Sequence, residues 1–360
     1  MKKEVLLVFL ALILVVGFTF AACAAPSAPT APSAPTAPAA PTAPAAKPRT
    51  LTFANFPPAP TFPCVSMEKW ADEVEKRTNG QVKIETFPGG TLLTSAAMFD
   101  GVLAGVADIG CSCPSYEPGR FPLIVGMETP AVKFPNTAVA SQCLWEACQE
   151  LKPAELARFK VLYMYTAGPN HIVTIKPVHT LEDLKGLELR ASGAVVPILQ
   201  ALEAAPIGLG QADVPEYLAK GTIKGYVSSL ETLLDFKYAE TCKYATDWSP
   251  CIGCSFAVVM SWPTWHSLPP DVQKVMDDLA LEMSVWTGEY MDTHTEESIA
   301  WAEKEEGFQI ITISPEEKAR WDALIKPVTD KWLADMAAKG LPGKEYLAKL
   351  TELNEKYSKE

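Results

Sequence analysis

Twice along this chain, short apolar strands alternate with amphipathic helices, and that order restricts the folds open to it. Thr50–Phe53 reads as a strand, and Ser66–Thr78 as a helix with Met67, Trp70, Ala71 and Val74 on one face, ended by Asn79-Gly80. Val82 and Ile84 mark a second strand, Thr94–Ala104 a second helix and Val106–Cys111 a third strand. The pattern returns as strands Val161–Tyr165 and Leu187–Arg190, helix Val195–Glu203, a link containing Gly208, and helix Val214–Lys220. Such β-α-β order implies parallel pairing through right-handed crossovers and an α/β fold. About 310 residues of this kind exceed what one core usually holds, so two lobes are expected. A long helix is predicted from the Ser267-Leu268-Pro269-Pro270-Asp271 start to about Lys304, with Val275, Met276, Leu279 and Met283 at helical spacing. Two helices broken near Thr287-Gly288 are the alternative, since glycine inside a helix costs about 1 kcal/mol.

The N-terminal end reads differently. Lys2 and Lys3 precede an apolar run from Val5 to Phe20, followed by Ala21-Ala22-Cys23, the pattern of a bacterial signal peptide over residues 1–22. Ala-Ala-Cys resembles a lipobox, which makes Cys23 the expected site of lipidation and the new N-terminus. Phe20 stands where such a motif usually begins with Leu, leaving open cleavage without lipidation, and an uncleaved anchor is the third possibility. Residues 23–49 form an Ala/Pro-rich linker with Pro26, Pro29, Pro32, Pro35, Pro38, Pro41 and Pro44 at every third position. Polyproline II has three residues per turn, so this segment is expected to be a stiff tether spanning about 70 Å at about 3.1 Å per residue. All three readings of the end place the remainder outside the cytoplasm.

Within the second half, Leu187-Glu188-Leu189-Arg190 alternates with the strand period of two between Gly186 and Gly193. Arg190 is therefore expected at a strand's carboxyl end, the edge where open α/β sheets bind ligands. Its guanidinium offers a rigid fork for a carboxylate. On spacing alone, a surface arginine paired with a nearby acid is an equal alternative. The formal charge is −12 from 43 acids and 31 bases, which argues against nucleic-acid binding.

Five segments in register resemble a known family: GQVKIETFPGGTL, FDGVLAGVADIG, KPVHTLEDLKGLELR, the stretch to Lys224-Gly225-Tyr226, and SWPTWHSLPPDVQKVMDDLA. Over roughly residues 50 to 335 the chain resembles the solute-binding subunit of tripartite ATP-independent periplasmic (TRAP) transporters, the DctP family. The resemblance implies an α/β, two-lobed, periplasmic-binding-protein-like fold with a long hinge-spanning helix. It implies an extracytoplasmic receptor that holds a small organic carboxylate between its lobes and delivers it to integral-membrane TRAP subunits. It gives Arg190 the role of carboxylate clamp. Lobe I is expected over 50–168 plus about 256–304, lobe II over 169–255 plus about 305–345, and a C-terminal tail over 346–360.

Lobe I is expected to offer Phe53, Phe56, Ser112 and Tyr116 to the ligand, and lobe II Asn170, His171, Arg190, Tyr226, Ser228 and Trp248. Related receptors often carry a second carboxylate-binding arginine near Asn170 and His171. Its absence here counts against dicarboxylates, and many aromatics around one cation favour a monocarboxylate with an apolar or aromatic body. Glu231 reads as a solvated or helix-cap acid, and the glutamate-tryptophan pair with which some relatives bind a metal is missing.

Eight cysteines remain after Cys23, and a bridge from Cys64 to Cys111 or Cys113 is the preferred pairing in an exported chain. Cys251-Ile252-Gly253-Cys254 allows a thiol oxidoreductase reading, weakened by the strand-like run Phe256–Met260 that follows it where a redox site needs a helix. No second CxxC or HxxxH completes a zinc site. No cofactor, metal or nucleic-acid partner is expected. A binding protein of another transport or sensory class is the remaining rival.

Overall fold

A computed structural model describes residues 48–359. The expected leader, Cys23 and the linker lie outside the described residues, apart from the linker's last two positions. In chain order the first part runs β1 (Arg49–Asn55), α1 (Phe62–Arg77), β2 (Val82–Phe87), α2 (Met98–Leu103), β3 (Ile109–Ser112), α3 (Thr137–Leu151) and β4 (Phe159–Thr166). Then come β5 (His171–Thr174), α4 (Leu181–Leu184), β6 (Glu188–Ala191), α5 (Val195–Ala201), β7 (Ala205–Gly208), α6 (Val214–Ala219), β8 (Gly225–Ser228), α7 (Thr232–Asp235) and β9 (Tyr244–Thr246). The chain ends with β10 (Ser255–Ser261), α8 (Trp262–His266), α9 (Pro270–Glu306), β11 (Gln309–Ile311), α10 (Pro315–Ala338) and α11 (Gly343–Tyr357).

Two sheets result, ordered β2-β1-β3-β10-β4 and β11-β9-β5-β8-β6-β7. The expected parallel pairing holds for β1 with β2 and β3, and for β6 with β7 and β8. Both sheets are nevertheless mixed, because β10 runs antiparallel to β3 and β4, and β5 antiparallel to β8 and β9. The reason is connectivity. The chain leaves the first sheet after β4, builds most of the second, and returns through β10.

Where the chain crosses between the sheets, its outgoing and returning segments are bonded side by side. Ala167 N donates to Cys254 O at 2.8 Å, Gly253 N to Gly168 O at 2.8 Å, and Asn170 N to Cys251 O at 3.0 Å. A Cβ on Gly253 would stand 2.5 Å from the Gly168 carbonyl oxygen, so the glycine of the CxxC stretch is what lets these segments touch. The following strand β10 matches the apolar run read from the sequence.

The long helix is one element of 37 residues, about 55 Å at about 1.5 Å per residue, with Pro270 in its first turn and left-handed Gly307 at its end. It packs on α1, α3 and β4 of the first half and on α7 of the second. The alternative of a break at Gly288 is not realised. A Cβ there would lie 2.5 Å from Ala138 Cα, so this glycine admits the start of α3 against the helix. Asp292, one turn on, accepts from Thr137 N at 2.9 Å and Ala138 N at 3.2 Å, which satisfies donors that α3 leaves open.

Two expectations are corrected. Residues 346–360 largely form α11, whose Tyr346, Leu350 and Leu353 recur on one face and are buried in the first core. Cys64, Cys111 and Cys113 are free thiols, with no bridge among them. Their bonds go elsewhere: the Cys64 thiol donates to Pro57 O at 3.2 Å, and Cys111 Sγ lies 3.2 Å from the Tyr165 hydroxyl.

Candidate functional site

Arg190 sits third in β6, paired in register with Ile207 of β7 and Tyr226 of β8. The strand alternation read from the sequence therefore buries Leu189 on one face and turns Arg190 to the other, where it is only 2% exposed. Its Nε donates to Leu209 O at 3.0 Å and its Nη1 reaches Val227 O at 3.5 Å, whereas Nη2 is buried with no partner. Among the described residues no carboxylate pairs with it. The surface ion-pair alternative thus gives way. A buried guanidinium lacking an anion is costly by several kcal/mol unless something negative arrives.

An outer cleft and an inner chamber meet at Tyr116, which lines both. The cleft offers ≈ 730 Å³ to water centres and is flanked by Ser115 and Glu117 from the first half and Ala191–Gly193 and Gly208–Gly210 from the second. The chamber offers only ≈ 40 Å³, room for a few waters and not for a metabolite. Anything larger than a few waters would need the chamber walls to move apart. Tyr116 also meets the Arg190 guanidinium across the gap, and burial holds its phenol well above its usual pKa, so it remains a neutral donor.

The chamber wall is divided by chemistry. Phe56, Phe62, Phe256 and Tyr116 from the first half surround it with rings, Phe62 edge-on to Phe256 at 5.4 Å and Phe56 edge-on to Tyr116 at 5.5 Å. Gln211, Ser228, Glu231, Thr232, Asp235 and the ring of Phe236 come from the second half, and Thr61 adds a hydroxyl from the first. Gln211 Nε2 and Glu231 Oε2 are buried and unpartnered. Burial pushes the Glu231 carboxyl up to about 8. Asp235 is committed: its Oδ1 bonds His294 Nε2 at 2.7 Å, and its Oδ2 accepts from Phe62 N at 3.2 Å, tying α7 to both α9 and the start of α1.

Of the residues expected from the sequence, Phe56, Tyr116 and Ser228 line the chamber, and Arg190 lies outside its lining but meets Tyr116. The others lie elsewhere. Phe53 is fully buried edge-on to Trp70 at 5.8 Å, and Ser112 donates to Ser95 O at 3.1 Å beneath the sheet. Asn170 is consumed by the crossing segments, donating to Ile252 O at 3.0 Å and toward Cys251 Sγ at 3.4 Å. The His171 ring bonds Pro169 O at 3.0 Å, and burial depresses its pKa, so it does not replace a second arginine. Tyr226 lies behind the chamber against Tyr238 at 4.8 Å, and Trp248 packs on Trp321 while donating to Asp322 at 2.9 Å. Glu231, read as a solvated or capping acid, is 3% exposed and makes no side-chain cap to α7.

Sequence reasoning missed Gln211, Glu231 and Cys254 as chamber residues. Cys254 lines it beside Ser192, at 3.8 Å between Oγ and Sγ, and a hydrogen bond from Cys113 together with Arg190 lowers its thiol pKa while burial raises that of Cys113. Cys251, by contrast, is buried with its thiol pushed up to about 12, so the CxxC pair lacks the accessible thiolate of a redox enzyme at its first position.

Comparison with known proteins identifies the family. Residues 53–335 match the family described as bacterial extracellular solute-binding protein, family 7, DctP. A TRAP periplasmic solute-binding protein from Desulfovibrio salexigens is similar in structure with a TM-score of 0.77 and 44% identity, over 86% of this chain and 96% of that one. One from Rhodoferax ferrireducens, in complex with benzoate, gives a TM-score of 0.81 at 29% identity, over 86% and 98% of the two chains. The 2,3-diketo-L-gulonate-binding periplasmic protein YiaO of Escherichia coli is 27% identical over 281 residues, 76% of this chain and 83% of that protein. The chain belongs to the DctP family, and is a TRAP-type solute receptor rather than an enzyme.

Proposed function

We propose that this receptor takes a small monocarboxylate with an apolar or aromatic body, its acid group on Arg190 and its body among Phe56, Phe62 and Phe256. The observation carrying this reading is the buried guanidinium with a free Nη2 and no acid partner among the described residues. Tyr116 and Cys254 flank that end of the chamber, and the aromatic rings provide the apolar area. Benzoate in the Rhodoferax relative is a ligand of the same kind. A neutral His171 and a committed Asn170 leave no second clamp for a dicarboxylate.

Lobe I then comprises 50–168 plus about 256–304, and lobe II 169–255 plus about 305–345. The crossing segments at Ala167–Asn170 and Cys251–Cys254, with the long helix, form the hinge about which ligand contacts to both lobes select the closed state. Removal of residues 1–22 and lipidation of Cys23 would hold the domain on its proline tether near the membrane subunits that receive the solute. A thermal-shift screen of small carboxylates, benzoate included, tests the reading. Binding to the native state raises the melting temperature of the wild type and leaves that of Arg190→Ala unmoved. Equal shifts in both proteins would remove Arg190 from the role.

A further inference from the structure

Glu231 lines the chamber and Arg190 reaches Tyr116 on its edge; both are at most 3% exposed, and each ends in a buried atom without a partner. No ion pair joins them. The site thus holds a donor that wants an anion and, separately, a carboxyl with one oxygen unbonded. The carboxyl lies at the start of α7, directly after β8 and Ser228, on the side facing Asp235 and His294.

We propose that Glu231 binds a hydroxyl carried by the ligand, so that the receptor selects a hydroxy carboxylic acid over the same acid without the hydroxyl; this rests on the carboxylate reading of Arg190. Burial keeps the proton on Glu231 at neutral pH, which makes it a carboxylic acid able to donate to and accept from an alcohol or phenol. A ligand ammonium fits less well. It would require ionised Glu231 beside Asp235, whose two oxygens already serve His294 and Phe62 N. Gln211 Nε2, also buried and unpartnered on the chamber wall, supplies a further donor for the hydroxyl oxygen.

The test is calorimetry on the purified protein with matched acids: benzoate against its three hydroxybenzoate isomers, and butyrate against 3-hydroxybutyrate. At least one hydroxy acid is expected to bind about ten-fold or more tightly than its deoxy partner, the size of a hydrogen bond to an otherwise unpaired buried group. Glu231→Leu should bring the pair within about three-fold, and Glu231→Gln, which retains a donor and an acceptor, should keep a preference. The inference is overturned if wild type binds both members of every pair alike, or if the preference survives in Glu231→Leu. Loss of the deoxy acid too in a Glu231→Leu protein of normal melting temperature would also overturn it, showing a structural role only. A wild type that binds no acid in the panel defeats the carboxylate reading and this inference with it, whereas binding without discrimination defeats this inference alone.

Discussion

The two halves contribute opposite things to one chamber. From the first come rings, Phe56, Phe62, Phe256 and Tyr116, with Phe62 edge-on to Phe256, Phe56 edge-on to Tyr116 and Phe56 stacked on Phe256. From the second come the Phe236 ring and the unused polar ends Gln211 Nε2 and Glu231 Oε2, with Arg190 Nη2 unpartnered behind Tyr116. Aromatic contacts reward area and shape with little regard to which acid is bound, whereas an unpaired buried polar group penalises every occupant that cannot satisfy it. On the proposed reading, affinity is shared between the halves, and selectivity resides mainly in the second.

If that division is right, the largest loss follows from the second half. Arg190→Ala is expected to cost about 2–5 kcal/mol of carboxylate affinity by calorimetry, the range for deleting one partner of a desolvated pair. Lysine should recover only part of it, lacking the planar fork. Phe56→Ala, on the partly buried edge of the aromatic wall, should cost about 1–2 kcal/mol and do so evenly for all acids of similar size. Were that variant to reorder the preference among acids, the division between area and selectivity would fail.

A smaller effect concerns the contact that joins the halves. Asp235 bonds both His294 and the first turn of α1, and its hydrogen bond raises the imidazole pKa above its ordinary value while partial burial opposes it. A raised folded value means that the protonated imidazole stabilises the fold below pH about 6.5, and that this contribution is lost as pH rises through the higher folded value. The urea midpoint advantage of wild type over His294→Gln should therefore be larger at low pH, by about 1–2 kcal/mol, and shrink in alkali. An advantage that grows with pH would contradict the assigned pair.

How much of this was legible in the sequence depended on whether the signal was local. Strand alternation and two glycines placed Arg190 at a strand's carboxyl end, whereas its clamp role came from the family resemblance, since spacing alone left a surface ion pair an equal alternative. Phe53, Tyr226 and Trp248 could not be told from chamber aromatics, since residue type does not separate a core ring from a cleft ring; burial against Trp70, Tyr238 and Trp321 does. Glu231 was illegible for a related reason. Its burial depends on distant groups, with Ser298 of α9 bonding its carbonyl and Asp235 lying beside it. Gly288 and Gly253 carried a real signal that pointed elsewhere: glycine marks close approach of backbones at both, a break at neither. The short strands β7, β9 and β11, each of three or four residues, exist through their partners and offer too few positions for periodicity to register.

The central claim is that Arg190 neutralises the acid group of the solute. A crystal structure of the wild-type protein with benzoate, or with the tightest acid of the screen, tests it most directly. The account predicts a carboxylate oxygen within hydrogen-bond distance of Arg190 Nη2, with the ring of the acid among Phe56, Phe62 and Phe256. A bound acid whose carboxylate faces solvent or Glu231, leaving Nη2 still without a partner, would contradict it.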